Sequence, residues 1–288
     1  QNNTSNKFFE GTEEVSQEGI YDKLSSEYLF LRTDYGISKK LTLSLGTGYH
    51  LNKTLSYKDQ DTSASSSGFG DLIIFPRYDI YNETKGNIRS EITLGIGVKI
   101  PIGSHTDTMK ITSDVWDLIP PTIQLSTGGT DLMLYSFFLR EYKKQKFRLF
   151  ANSLYIRKGY NSLDEKFGDY TSLSLFASKT FFRKWGLTTQ IKAERIGQIE
   201  VRQSKLLDLI VSDQYFGLPN FLDKQKATGS KKWLFIPQIS YSQSGITVFA
   251  TAEIPLYQYL NGTQIGSNQQ FTAGVNYRFL TKECEPEF

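Results

Sequence analysis

Cysteine is almost absent from this chain. Cys284 stands alone, so no internal disulfide exists and the count leaves the redox compartment undecided. Methionine is nearly as scarce, with two residues, which argues against a core padded with flexible thioethers. No Pro-, Gly- or Ser-rich linker divides the 288 residues, and a single all-β domain of that length is ordinary. Apolar runs of the ~18–20 residues needed by a spanning helix are missing. Mean hydropathy is −0.37. Most helical membrane proteins are thereby excluded, but a β-barrel, whose strands are half polar, is not. Charge of one sign is also lacking: the net of +3 is too small to suggest nucleic acid or anionic lipid as partner. The numbering opens at Gln1 without a secretory leader, and the chain is read as exported and processed.

What is abundant is aromatic residues and glycine, with 17 Tyr, 20 Phe and 23 Gly. Many of the apolar residues fall on alternate positions. In 270–280, Phe271, Ala273, Val275, Tyr277 and Phe279 share one parity, against Thr272, Gly274, Asn276 and Arg278. Such a period of two defines a strand with one apolar and one polar face. The same alternation runs through 41–49, 69–80, 89–100, 186–196 and 246–254. Two segments, 130–141 and 147–158, are apolar on both parities, so neither face can be assigned.

Connections alternate in length. Short ones lie at 36–40, 82–87, 142–146, 182–186 and 242–245, and long ones at 52–68, 102–127, 159–168, 200–231 and 258–267. A Greek-key sandwich does not keep this order. Short periplasmic turns alternating with long extracellular loops are the mark of an up-and-down outer-membrane barrel. Eleven segments follow Leu24, and an even number is expected, so Lys7–Val15 is taken as a first strand of about twelve. The barrel then spans roughly 7–280, and 281–288 form a periplasmic tail carrying Cys284.

The polar faces hold charges of both signs: Arg32, Asp34, Asp71, Arg77, Asp79, Arg89, Glu91, Lys99, Lys192, Glu194, Glu253 and Arg278. On the lipid face each would cost up to ~2–4 kcal/mol at the midplane, so the expectation is that they point inward. There they either pack a narrow lumen with ion pairs or form a selectivity lining for a solute. Both readings stay open.

Chemistry has little else to stand on. His50 and Ser44 share a parity but lie six residues apart, about 20 Å at strand rise, too far for a nucleophile and its base. No Cys/His spacing suggests a metal, and Gly46-Thr47-Gly48 and Gly95-Ile96-Gly97 lack the helix a nucleotide loop requires. No enzyme, cofactor or metal is expected. Two long loops are unusually apolar: 102–127 with Trp116 and Leu118, and 200–231 with Leu209, Tyr215 and Phe216. Such clusters do not sit freely in water, and suit a plug, a ligand or a partner protein.

A family resemblance rests on particular stretches. Gly68-Phe69-Gly70-Asp71-Leu72, the run from Ile92 to Pro101 with Gly103, and Ile254-Pro255-Leu256-Tyr257 leading into Asn261-Gly262-Thr263-Gln264 are similar to motifs of the outer-membrane transporter family named for the MetA pathway of phenol degradation. Tyr35-Gly36-Ile37-Ser38-Lys39-Lys40-Leu41 resembles a hairpin of that family. The resemblance implies a barrel with a transport role and supplies no catalytic residues. The resulting expectation is an outer-membrane channel for small solutes, apolar and aromatic ones among them, surrounded by outer-membrane lipid. The alternative is a scaffold subunit of an envelope complex, docking protein partners through 102–127, 200–231 or the tail.

Overall fold

The computed structural model describes residues 2–16, 21–57, 63–112, 115–202 and 227–279. These residues contain strands and no helix. The N-terminal part supplies β1 (Asn2–Ser5), β2 (Phe8–Gly11), β3 (Glu13–Val15), β4 (Tyr21–Gly36), β5 (Leu41–Tyr57) and β6 (Ser63–Lys85). Next come β7 (Ile88–Ile100), β8 (Thr108–Thr112), β9 (Val115–Leu118), β10 (Asp131–Tyr142), β11 (Phe147–Arg157) and β12 (Glu165–Lys166). The remainder forms β13 (Tyr170–Phe181), β14 (Trp185–Ile196), β15 (Glu200–Val201), β16 (Ser230–Gln243), β17 (Ile246–Ile265) and β18 (Gln270–Tyr277).

Twelve strands make an antiparallel wall in the order β16-β14-β13-β11-β10-β7-β6-β5-β4-β1-β18-β17, and β16 pairs back onto β17. That last ladder turns the sheet into a ring. Closure matters because an open edge cannot be tolerated in hydrocarbon. The thinnest seam is β1, whose four residues pair with Leu24–Glu27 of β4 while only Asn2 and Asn3 reach β18. A cavity of about 390 Å³ lies at this seam, between Tyr28 and Leu29 on one side and Phe271 and Thr272 on the other.

The first strand of the wall is therefore Asn2–Ser5 and not Lys7–Val15. Gly11, at φ +60°, bends 7–15 back on itself as the β2–β3 hairpin, which pairs with the upper end of β17. Two of the expected long loops are also strand. β5 and β6 stay paired out to Ser56↔Ser63, and β17 continues to Ile265, so 52–68 and 258–267 are largely extensions of the wall beyond the membrane.

Pro76 and Pro237 sit where ladders lapse. The β6–β7 pairing skips from Ile74↔Val98 to Arg77↔Gly95, and β16–β17 skips from Phe235↔Ile254 to Gln238↔Thr251. A residue without an N–H cannot hold such a rung. The outer face is apolar and exposed, with Leu94, Ile96, Leu134, Phe138, Leu173, Leu175, Leu187 and Val248 among its residues. This is a lipid-facing band. At the short-turn end it is bordered by Tyr142, Phe181, Trp185, Tyr241 and Tyr277.

Candidate functional site: the lumen

Every rung that puts Leu or Ile outside puts the intervening side chain inside, and paired charges lie on that inner face. Near the short-turn end Asp34 of β4 accepts from Arg32 and from Arg77 of β6, each at 2.9 Å, and from the Ser44 hydroxyl of β5. Beside it Thr93 of β7 donates to Asp79 at 2.7 Å and to Glu91 at 3.2 Å, while Arg89 pairs with Glu91. Toward the loop end Lys99 bridges Asp71 and Asp131, the latter at 3.0 Å. Asp131 also takes Lys158 at 2.8 Å and the Gly159 N–H at 3.2 Å, and its side chain is fully buried. On the opposite wall Lys192 meets Glu194 at 3.0 Å and Glu253 at 3.8 Å, and Tyr170 donates to Glu194. Arg278 follows β18 at the short-turn end, exposed, with its N–H bonded to the Gly245 carbonyl.

All the expected residues but Arg278 thus fall into four groups of side chains, and Arg278 stands apart from them. Sequence reasoning missed Asp131 and Lys158, which tie the loop-end group together. It also missed Lys53 and Lys232, whose ammonium groups donate to the Gln124 carbonyl at 2.7 Å and the Ser267 hydroxyl at 2.6 Å.

The larger omission is apolar. Phe75 meets Tyr135 edge-on at 5.7 Å between centroids, Phe137 lies 6.1 Å from Phe150, and Phe150 stacks on Phe176 at 4.3 Å and 12°. These rings belong to the inward parity of β6, β10, β11 and β13. They explain why 130–141 and 147–158 are apolar on both faces: one face meets lipid and the other an aromatic lumen wall. Phe75 fits because β7 opposes it with glycine. A Cβ on Gly97 would lie 2.2 Å from its ring and one on Gly95 2.8 Å.

The mouth is partly closed by the loop from 101 to 130. Its Ile119 and Ile123 are buried against Leu55 and Ala64 of the extended β5–β6 hairpin, with Leu24, Met109 and Ile265 around them. Lys53 and Ser66 donate to the Gln124 and Ile123 carbonyls, which anchors the loop over the opening. The residues singled out in this loop behave otherwise: Trp116 is 64% and Leu118 42% exposed on the β8–β9 hairpin. Leu209, Tyr215, Phe216 and the tail at 281–288 lie outside the described residues.

His50 packs against the Tyr28 ring at 4.6 Å inside the barrel. His105 joins the loop 101–130 to the loop 158–169 through a 2.8 Å contact with the Ser162 hydroxyl. In that second loop Asp169 accepts from the Lys158 N–H and from Tyr155, both at 2.9 Å, and pairs with Lys166 at 3.5 Å. Burial pushes the Asp169 carboxyl up, but these donors and the Lys166 charge outweigh it and hold the group below the usual aspartate range.

No family model and no curated protein matches the sequence. Among solved structures the chain is similar to the COG4313 outer membrane channel from Pseudomonas putida F1. The TM-score is 0.61 at 13% identity, over 96% of this chain and 90% of that one. The likeness shows the fold, an antiparallel β-barrel of the membrane-spanning kind. A loop-L8 deletion mutant of OmpT, an outer membrane protein of Vibrio cholerae, also aligns over 96% of both chains. Its TM-score of 0.40 and 10% identity are too low to carry any inference. The barrel's environment is membrane lipid, against which its apolar band rests.

Proposed function

We propose that the barrel is a channel for small solutes, with molecules that combine a ring and a polar group favoured. The observation that carries this reading is the division of the lumen. Phe75, Tyr135, Phe137, Phe150 and Phe176 make an apolar stripe beside ladders of paired charge. A solute can stack on the stripe while the fixed charges orient its polar end. The resemblance to the transporter family named for the MetA pathway of phenol degradation, and the likeness to a protein described as a channel, support the same reading. Catalysis has no part in it.

Influx into proteoliposomes tests the proposal, comparing a small aromatic carboxylate with a sugar of similar mass. Phe150→Ala combined with Phe176→Ala is expected to slow the aromatic solute several-fold and to leave the sugar unchanged. Equal effects on both solutes would remove the stripe from the reading.

A second reading, a scaffold docking through the β8–β9 hairpin, is favoured by the exposure of Trp116 and Leu118. Its support would be a specific envelope protein crosslinked at position 118 and lost in Trp116→Ala.

A further inference from the structure

The five tight turns at the periplasmic end, residues 37–40, 86–87, 143–146, 182–184 and 244–245, contain Lys39, Lys40, Lys143, Lys144, Lys146, Arg183 and Lys184, and no Asp or Glu. A balanced lumen does not require this, nor does an overall charge of +3. The concentration is greatest where two neighbouring turns meet: the Thr180 N–H bonds to the Lys146 carbonyl at 3.0 Å, which holds 143–146 against 182–184. Lys143 and Lys184 donate to neutral oxygens, of Thr84 and Gln243.

Three further features place this charge at the lipid surface. Arg140 and Lys179 lie on the outward parity of β10 and β13, in line with exposed Leu134 and Phe138 and with Leu173 and Leu175. They sit at the edge of the lipid band, and their stems can extend along it to the headgroups. Cations also stand over girdle aromatics: Arg140 over Tyr142, Lys179 over Phe181 and Lys184 over Tyr241, each at about 6 Å. Finally, Phe182 is 90% exposed, with φ +46°, and is followed by Arg183 at φ +66°. Left-handed backbone is unfavourable for both, and a Phe in such a turn has no packing to gain inside the barrel. In a bilayer its ring meets the interface, where aromatic residues concentrate.

We infer that Arg140, Lys143, Lys146, Lys179, Arg183 and Lys184 form a binding surface for the phosphates of anionic phospholipids in the periplasmic leaflet. Phe182 inserts beside the headgroups. A soluble acidic protein would need the turns alone and would make no use of Arg140, Lys179 or the exposed ring. This inference does not depend on what passes through the lumen.

Trp185 reports on the site, being half-exposed in the same turn region. The full-length barrel is reconstituted with Trp116 and Trp233 replaced by Phe, and Trp185 fluorescence is quenched by brominated phosphatidylglycerol or brominated phosphatidylcholine. At about 50 mM salt the anionic lipid is expected to be enriched around Trp185 by at least about fivefold. The preference should collapse at about 0.5 M salt, where charges are screened over a few ångströms. It should also vanish when the six cations become Gln, in a barrel that still shows the heat-shifted mobility of the folded form. A barrel keeping only Trp233, toward the loop end, provides the control and should show no preference. Equal quenching by the two lipids at low salt, or the same preference at Trp233, overturns the inference and leaves the basic turns to a soluble partner.

Discussion

Asp131 is the residue on which the loop-end charge group turns, since Lys99, Lys158 and the Gly159 N–H all converge on its carboxylate. Asp131→Ala leaves a buried ammonium short of its partner, and the barrel should lose about 3–5 kcal/mol, read from denaturant unfolding in detergent micelles. Unchanged unfolding would mean that water replaces the carboxylate. Gly97→Ala tests the opposite defect, overpacking. The added methyl collides with Phe75 and the Ile74 carbonyl, and about 1–3 kcal/mol of destabilisation is expected.

Asp169 gives a pH signature. Its folded-state pKa is depressed, so its contribution is fully present above the ordinary aspartate value of about 4 and is lost as pH falls through the lower folded value. The group is partly exposed, and the effect is about 1 kcal/mol or less. The thermal transition should therefore be level from neutral pH to about 4 and then drop. In Asp169→Asn it starts lower at neutral pH and loses that final step. At this scale Arg32, Asp34, Arg77 and Glu91 were legible because alternation alone sends them inward. Asp131 was not, because its strand is apolar on both sides and so hides its inward parity.

Among the elements, the β5–β6 hairpin and the loop 101–130 belong together. The hairpin rises beyond the lipid, where its outer face no longer needs apolar residues. That is why Thr54, Ser56, Ser63 and Ser65 read as loop in the sequence yet form paired strand. Its inward Leu55 and Ala64 hold Ile119 and Ile123 of the loop. Ile119→Ala with Ile123→Ala should release the loop from the mouth, seen as faster tryptic cleavage within 101–130 and a larger mean conductance. A loop that stays protected would mean that Lys53 and Ser66 suffice to anchor it. The loop's apolar character was visible beforehand, but Trp116 and Leu118 drew attention from the residues that pack. Exposure and burial in an irregular segment depend on contacts that periodicity does not encode. The first strand was misplaced for a related reason, since parity demanded a twelfth strand without locating it between β18 and β4.

For the molecule as a whole, the alternation of short and long connections and the two-residue period were enough to read an up-and-down barrel. Closure through β16 and β17 follows from the need to satisfy every strand edge in lipid. What the alternation could not convey was the content of the lumen, because 130–141 and 147–158 are apolar on both parities and leave their inner face unassigned. The aromatic stripe breaks the alternation of apolar outside and polar inside where the solute path is proposed.

Single-channel conductance of the reconstituted barrel in a planar bilayer tests the central claim most directly, with wild type, Arg77→Ala and Glu91→Ala compared under a salt gradient. An open passage lined by these charges should give discrete current steps. Their reversal potential should move toward cation preference in Arg77→Ala and toward anion preference in Glu91→Ala. Folded barrels that stay electrically silent, or steps whose selectivity ignores both substitutions, would contradict a lumen that conducts past these residues.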